Sequence, residues 1–391
     1  MWRTALLATA FVSVLLTVWV AGHTYLADRL IWDLDLGEDW TRRLTLVMIA
    51  CAALPLLAPV FERLSRPHVA RWVAWPANLW MGLAFLLLVG FAATDLLLFV
   101  LDVTGVSPAG PATARLRSVA VLSVALAGIA IGMRSALSPP QVTRCEIEIA
   151  RWPAPLDGLR IVQISDIHIG AMQGRRFARA VVERVNGLRP DVVAVTGDLV
   201  DGTVPHLAEE VEPFAELRAR HGVFFVTGNH DYYSGADPWL AYVSDLGMRP
   251  LRNERIAIEA DGGVFDLAGV DDHRGRMFGP GHGEDVPRAL AGRDVSRPVI
   301  LLAHDPATFP AAARHDVDLQ LSGHTHGGQI WPFGWLVRAA VGFVAGHYRR
   351  GRSQLLVSCG TGYWGPPIRL RAPAEILEVI LRGEGREAAV G

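Results

Sequence analysis

Four long apolar runs dominate the first third of the chain. Each approaches the roughly 20 residues that an α-helix needs to cross the hydrocarbon core of a membrane. The first run also fits a secretory signal peptide, because it follows Arg3 and ends near the small residues of VAG. Three further runs favour a membrane anchor of about four helices over residues 1–140. The runs are Thr4–Ala21, Leu44–Phe61, Ala77–Leu101 and Ser118–Leu137.

Polar and aromatic residues at the edges of these runs refine the prediction. Trp72, Trp75 and Trp80 lie at the start of the third run, as expected of residues at a membrane interface. Asp95 lies inside that run, where a carboxylate can mark a transport path. Its place near the end of the run, with no obvious charged partner in the apolar segments, favours a residue at the lipid boundary.

Four crossings would place the amino terminus and the region after residue 140 on the same side. That side carries six arginines and the other carries five. The positive-inside rule therefore favours a multi-pass protein of the cell (inner) membrane with its carboxyl-terminal domain in the cytoplasm.

After residue 140 the pattern changes to short apolar strands and amphipathic helices. A linker is predicted over 141–157, following LSPP, a domain over 158–383 and a tail over 384–391. Strands and helices alternate early, and strands dominate late. This order predicts an α/β fold of the sandwich type, with sheets packed face to face and helices outside. The segments read as strands are GLRIVQIS, DVVAVTG, GVFFVTG, VFDLAGV, PVILLAH, VDLQLSG, QLLVSCG and AEILEVILR, and those read as helices are RRFARAVVERVNGL and HLAEEVEPFAELRAR.

Charge and cysteine content exclude several classes of protein. The whole chain has 37 Lys and Arg residues against 39 Asp and Glu residues, and the first 140 residues hold 10 Arg and 8 acids. The remainder is therefore acidic by four charges and lacks the basic excess of a nucleic-acid-binding domain. Cys51, Cys145 and Cys359 lie too far apart in sequence to suggest a disulfide framework or a cysteine zinc site.

The predicted strands end in residues that bind metals. Ligands gather outside the carboxyl ends of strands in open α/β sheets. Seven mixed nitrogen and oxygen ligands are too many for one tetrahedral ion, and they suit two divalent ions that share a bridging carboxylate. Imidazoles with carboxylates favour Mn, Fe or Zn. The candidates are Asp166, His168, Asp198, Asn229, His304, His324 and His326.

These motifs resemble those of the calcineurin-like metallophosphoesterase superfamily. The matching segments are DIH, GDLVD, GNHD, the strand-end His304 and GHTH, within residues 158–383. GHTHGGQIWP and GTGYWGPPIRLRAPAEI further resemble its bacterial membrane-anchored branch. The resemblance implies a β-sandwich flanked by helices. It also implies one ion on Asp166, His168 and His326, a bridge by Asp198, and a second ion on Asn229, His304 and His324.

A hydrolytic mechanism follows as a hypothesis. A metal-bound hydroxide would attack a phosphoester, so no side-chain nucleophile is required. His230 would donate a proton to the leaving oxygen, and Asp231 would orient its ring. The alternative for Asp231 is a cap of the turn. Asp271, Asp272 and Arg369 fit either the lining of the site or solvated loops.

The motifs leave the substrate open. The short distance between the last apolar run and the first ligand favours a phosphodiester or pyrophosphate of a lipid or lipid-linked nucleotide. Members of the branch that the motifs resemble are themselves similar to UDP-2,3-diacylglucosamine pyrophosphatases and lipid-headgroup phosphodiesterases. Alternatives are a phosphodiesterase of soluble nucleotides and a non-catalytic membrane sensor. The oligomeric state stays open. Four aromatic residues after the last ligand fit either contact with lipid or core packing: Trp331, Phe333, Trp335 and Phe343.

Overall fold

The computed structural model describes residues 2–106 and 110–385, without the side chains of residues 2–5, 7, 8 and 11. The predicted tail 384–391 therefore lies almost wholly outside the described residues. The chain divides into two compact units. Unit 1 comprises residues 1–133 with 365–367, and unit 2 comprises residues 134–364 with 368–391.

Long helices make up unit 1. Among the described residues, three of them (α2, α3 and α4) are long and apolar enough to cross a membrane. The first predicted run is helical in its backbone, but several of its side chains lie outside the described residues. A π-helical turn at Asp28–Trp32 follows α1. The helices are α1 (Trp2–Ala27), α2 (Glu38–Leu64), α3 (Pro67–Val103) and α4 (Pro111–Leu137).

Asp95 is the centre of an ionic network inside unit 1. Its carboxylate accepts hydrogen bonds from Arg29 at 3.0 Å, from Arg117 and from the Tyr25 hydroxyl. Both arginines also pair with Asp33, at 3.3 and 3.2 Å. The apolar runs themselves offered Asp95 no charged partner, and its partners come from outside them, in the turn after α1 and just before the fourth run. Helix packing brings these residues together.

Unit 2 is a sandwich of two six-stranded sheets. The first has the strand order β1-β12-β2-β3-β4-β5 and the second β10-β11-β9-β8-β7-β6. Strands β2 to β5 run parallel in the first sheet, as do β7, β8, β9 and β11 in the second. The strands are β1 (Gln141–Ile149), β2 (Arg160–Ile164), β3 (Val192–Thr196), β4 (Val223–Val226), β5 (Arg249–Pro250), β6 (Glu254–Ala260), β7 (Gly263–Gly269), β8 (Val299–Leu302), β9 (Leu319–Ser322), β10 (Gly346–Arg350), β11 (Ser353–Val357) and β12 (Glu375–Gly383).

Strand β1 differs from the sequence prediction. Residues 141–149 were expected to belong to a linker, but they pair with β12 in parallel along their whole length, from Gln141 with Glu375 to Ile149 with Gly383. The strand alternates exposed polar and buried apolar residues near its end, where Ile147 and Ile149 enter the core. The partner strand lies far along the chain, so no local sequence pattern predicts the pairing.

Apolar side chains fill the space between the two sheets. Because both faces of the central strands are covered, most of their residues are apolar, without a regular alternation of polar and apolar positions. Trp152 packs on Phe265 with ring centroids 5.2 Å apart. The outer face of the first sheet packs on α5, α6 and α8, and that of the second on α9 and α10. The helices of unit 2 are α5 (Arg175–Gly187), α6 (Val204–Val211), α7 (Asn229–Tyr233), α8 (Ala236–Asp245), α9 (Val286–Ala289), α10 (Phe309–Arg314) and α11 (Gly334–Val341).

The second predicted helix, residues 206–220, is shorter than expected. It is α-helical only to Val211 and continues as a 3₁₀ turn over Glu212–Glu216. Pro213 explains the change, because proline has no N–H to donate to the preceding turn. The fold class itself, a mixed α/β sandwich preceded by apolar helices, is confirmed.

Candidate metal centre

The carboxyl ends of the parallel strands of both sheets meet at one edge of the sandwich. The loop after β2 carries Asp166 and His168, and the loop after β3 carries Asp198. Asn229 opens α7 after β4. In the second sheet, His304 follows β8, and the loop after β9 carries the last two predicted ligands, His324 and His326. The structure therefore brings six of the seven predicted ligands into one cluster within unit 2, and Asn229 directly precedes His230, whose backbone N–H bonds to Asp198.

Most of these residues have an unusual backbone conformation. Asp166, His168, Asp198, His324 and His326 all have φ between 50° and 70°. Non-glycine residues in this left-handed region cost about 1–3 kcal/mol each and concentrate at functional sites. In this cluster, the tight turns aim each side chain back across the end of its strand.

Short distances join the predicted ligands. His168 Nε2 lies 3.1 Å from His326 Nε2, and His326 Nε2 lies 3.4 Å from Asp166 Oδ1. Asp198 Oδ2 lies 3.2 Å from His304 Nε2 and 3.7 Å from His168 Nε2. The His324 ring is 3.3 Å from the His304 ring, measured from Nδ1 to Nε2. The Asp198 carboxylate thus lies between two groups of imidazoles.

The residues present fit divalent cations. Three sets of donor atoms lie within 4.8 Å of one another, namely Asp166–His168–His326, His168–Asp198–His230 and Asp198–His304–His324. Asp198 belongs to two of them. In addition, the buried Oδ1 atom of Asn229 has no hydrogen-bond partner among the described residues. An unsatisfied buried oxygen is costly, and a bound cation would satisfy it.

Glycines let the loops approach closely. A side chain at position 323 would place its Cβ 2.2 Å from Asp166 Oδ2, and one at position 228 would place its Cβ 2.2 Å from Asp198 Oδ1. Any residue with a Cβ would displace a carboxylate of the cluster. Gly228 and Gly323 are therefore required by space.

Electrostatics within the cluster are strong. Burial alone would raise the pKa of Asp198, but His304, His230 and His168 outweigh it and hold that pKa well below its usual range. Burial would lower the pKa of His304, whereas Asp198 raises it well above the usual value. The Asp198 carboxylate thus favours a positive charge on the His304 ring. A bound cation would supply that positive charge in place of the proton.

Asp201 is a residue of the site that the sequence reasoning missed. Its carboxylate accepts hydrogen bonds from Nδ1 of His230 at 2.6 Å and from Nδ1 of His168 at 3.1 Å. The available signal was its place in GDLVD, three residues after Asp198. Asp201 fixes the orientation of both rings and directs their Nε2 atoms away from itself.

Asp231 has a different role from the one expected. It accepts backbone N–H groups of Gly228 at 2.7 Å, Asp198 at 2.9 Å and Leu199 at 3.0 Å. Asp231 therefore caps the loops, which is the alternative role that the sequence left open. The residue that orients the ring of His230 is Asp201. The short α7 turns Asp231 beneath the loop after β3. Burial and Asp198 raise its pKa to about 7, although two of these N–H groups oppose the shift.

Three further candidates lie around the site in supporting positions. Asp271 pairs with Arg252 at 2.8 Å. Asp272 is buried and caps a 3₁₀ turn by accepting the N–H of Arg274 at 2.8 Å. Burial raises the pKa of Asp272 to about 6.

Arg369 is fully buried and braces the last ligand loop. It donates to the carbonyls of Gly362 and Ala372, at 2.9 and 2.8 Å. Its guanidinium lies 3.3 Å from Nδ1 of His326. Arg369 therefore supports the position of His326 from behind, and burial lowers its own pKa to about 10.

Aromatic side chains surround His230. Tyr233 and Trp364 each lie 5.4 Å from its ring, centroid to centroid. Both are partly exposed, at 42% and 51%. The mouth of the site next to His230 is thus apolar.

Comparison with known proteins agrees with this geometry. The calcineurin-like phosphoesterase family matches residues 159–328. An uncharacterized metallophosphoesterase of Aquifex aeolicus is 33% identical over 63% of this chain and 93% of its own length. The chain belongs to the calcineurin-like metallophosphoesterases. Another relative in this family, an uncharacterized metallophosphoesterase of Campylobacter jejuni, is 37% identical over 68% of this chain and 69% of its own length.

The name of a third relative describes it as a transmembrane protein. It is a "transmembrane protein with metallophosphoesterase domain" of Bos taurus, 41% identical over 64% of this chain. The match covers 59% of that relative, and the same share of the corresponding protein of Danio rerio. The chain therefore spans about three fifths of the length of these two relatives.

Proposed function

We propose that this metallophosphoesterase is a membrane-anchored enzyme that hydrolyses a phosphodiester or pyrophosphate with two divalent ions. Its substrate is a lipid or a lipid-linked nucleotide. The protein lies in the inner membrane, with the catalytic unit on the cytoplasmic side. The observation that carries the proposal is the position of Asp198, whose carboxylate lies between the two predicted sets of ligands, 3.2 Å from His304 Nε2 and 3.7 Å from His168 Nε2.

Each predicted ligand has a place in this proposal. Asp198 would be a ligand of both ions. Two such ions would acidify a water molecule and neutralise the charge that develops on a phosphoryl group. Imidazoles mixed with carboxylates favour Mn, Fe or Zn. Asp166, His168 and His326 would hold one ion, and Asn229, His304 and His324 would hold the other.

His230 supplies the proton to the leaving oxygen. Its Nδ1 is occupied by Asp201, so Nε2 is the atom free to donate. Its backbone N–H donates to Asp198 Oδ1 at 2.8 Å, which fixes His230 against the metal-binding carboxylate. A general acid must lie within reach of the leaving atom, and this attachment keeps the ring beside the centre.

Three features support a lipid substrate. The chain has membrane helices, and only three residues separate the end of α4 at Leu137 from the start of β1 at Gln141. Unit 2 therefore follows the last apolar helix after a short connection in the sequence. The partly exposed Tyr233 and Trp364 provide apolar contacts next to His230 for a hydrophobic substrate.

Metal content and turnover of Asp198→Asn test the proposal. The variant should lose both ions, because the bridge is shared, and should lose hydrolysis of bis(p-nitrophenyl) phosphate. Asp245→Asn, an exposed position on α8, is the matched control and should behave as the parent. A single tightly bound ion that survives in Asp198→Asn would refute the two-ion centre.

A lipid extract of the same membrane tests the substrate class separately. The parent should release a phosphorylated headgroup or nucleotide monophosphate from it, and Asp198→Asn should not. Cleavage of the soluble ester without any cleavage of lipid would support the hydrolase activity and contradict the assignment of a lipid substrate.

A further inference from the structure

The segment after the ligand loop forms a surface that is both apolar and basic. Helix α11 contains no buried residue, although its sequence is GWLVRAAV. Trp335 and Leu336 on this helix are 70% and 62% exposed, and Trp331 just before it is 48% exposed. Trp331 and Trp335 are neighbours, with ring centroids 6.0 Å apart, and Arg338 follows Trp335 by about one helical turn. We call this surface the aromatic–basic face and define it by Trp331, Trp335, Leu336 and Arg338.

Acidic residues are missing from this part of the sequence. No Asp or Glu occurs from Leu319 to Ala374. Arg338, Arg349 and Arg350 form no ion pair with any other described residue, whereas nearby Arg352 pairs with Asp316 at 3.1 Å. Soluble surfaces normally intersperse both signs of charge and avoid exposed clusters of large apolar residues. The aromatic–basic face departs from both tendencies.

This combination decides between two partners. A second copy of the chain, packed symmetrically on the same face, would bring the unpaired arginines together without acids to compensate. An anionic bilayer surface complements them. Tryptophan also prefers the headgroup region, where its ring is partly buried and its N–H stays hydrated.

We infer that the aromatic–basic face binds the surface of an anionic lipid bilayer. Trp331, Trp335 and Leu336 insert among the headgroups, and Arg338 contacts lipid phosphates. The chain also has helices that are long and apolar enough to cross a membrane. This inference concerns binding and does not depend on the reaction proposed above.

Contacts with the ligand loop give the binding a consequence for the site. A Cβ at Gly328 would lie 2.3 Å from Gly334 Cα, so the start of α11 packs directly on the loop that carries His324 and His326. The Thr325 hydroxyl, between those two histidines, donates to the carbonyl of Val344. A bilayer bound at this face is therefore held close to the predicted metal ligands.

Photo-crosslinking in the full chain tests the inference. Benzoylphenylalanine is introduced at position 335, and at position 295 as the matched control, since Val295 is 71% exposed. Both proteins are reconstituted in nanodiscs of phosphatidylcholine with phosphatidylglycerol, and adducts are identified by mass spectrometry. Lipid adducts at 335 but not at 295 are expected. Adducts at 335 with a second copy of the chain, or no lipid adduct there, would overturn the inference.

The arginine is tested in the same nanodiscs. Arg338→Ser should reduce lipid adducts at position 335 by about fivefold. Arg179→Ser, exposed on α5, removes the same charge elsewhere and should change nothing. Equal reduction by both variants would show an effect of net charge and contradict a specific face. None of these readouts requires turnover, so they stand apart from the test of hydrolysis.

Discussion

Asp201 accepts a hydrogen bond from His230, with 2.6 Å between its Oδ1 and the Nδ1 of the ring. The same carboxylate is 3.1 Å from Nδ1 of His168. One acid therefore orients the proposed proton donor and a predicted metal ligand together. Partners of this kind set the tautomer and direction of an imidazole.

Asp201→Asn should reduce turnover while the protein stays folded. Loss of an orienting carboxylate typically costs about 10–100-fold in activity or metal affinity. We expect a lower kcat on phosphodiesters and a weakened ion on the His168 side, measured by metal titration. Asp245→Asn again serves as the control. Unchanged kcat and metal affinity would mean that neither ring depends on Asp201.

His230→Ala should retain both ions, since His230 is not among the seven predicted ligands. Removal of a general acid typically costs about 10²- to 10⁴-fold in rate. The loss should be small for a nitrophenolate leaving group, which needs little protonation, and large for an alkoxide. Rate measurements across a series of leaving groups check this. An equal loss throughout the series would exclude proton donation by His230.

Asp95→Asn should destabilise unit 1 and leave the metal centre intact. Removing one partner of a fully buried ion pair costs about 3–5 kcal/mol. We expect less here, because the Asp95 side chain is 32% exposed. Thermal unfolding in detergent should show a lower midpoint, and Arg117→Gln added to Asp95→Asn should recover part of it.

Asp102→Asn, near the exposed end of α3, is the control for this prediction. An unchanged midpoint in Asp95→Asn would show that the network does not hold the helices together.

A fragment that begins at Arg134 should fold and bind metal, whereas one that begins at Gly158 should not. The shorter fragment lacks β1, so it leaves β12 as an unpaired edge. It also lacks Trp152, which packs on Phe265. Circular dichroism, solubility and metal content distinguish the two. A stable, metal-loaded fragment from Gly158 would show that β1 is dispensable.

Local patterns were sufficient to predict most of the sandwich. Short apolar stretches such as VVAVT and VFFV lie where strands were expected, because each carries its burial and its turn residues in a few neighbouring positions. The seven candidate ligands were proposed for the same reason, since each follows the end of a strand. Strand ends that face one edge must bring their residues together.

Only the tertiary structure decided which residues serve these ligands and which strands complete the sheet. Asp201 and Asp231 are both acids in short polar loops, and nothing local shows that one orients His230 while the other binds backbone N–H groups. β1 pairs with a strand more than two hundred residues later, and Asp95 meets Arg29 and Arg117 through helix packing. The sequence determines which chemical group lies at each position and which local element that position belongs to. The approach of distant residues depends on how sheets and helices pack, and that is decided by the whole fold.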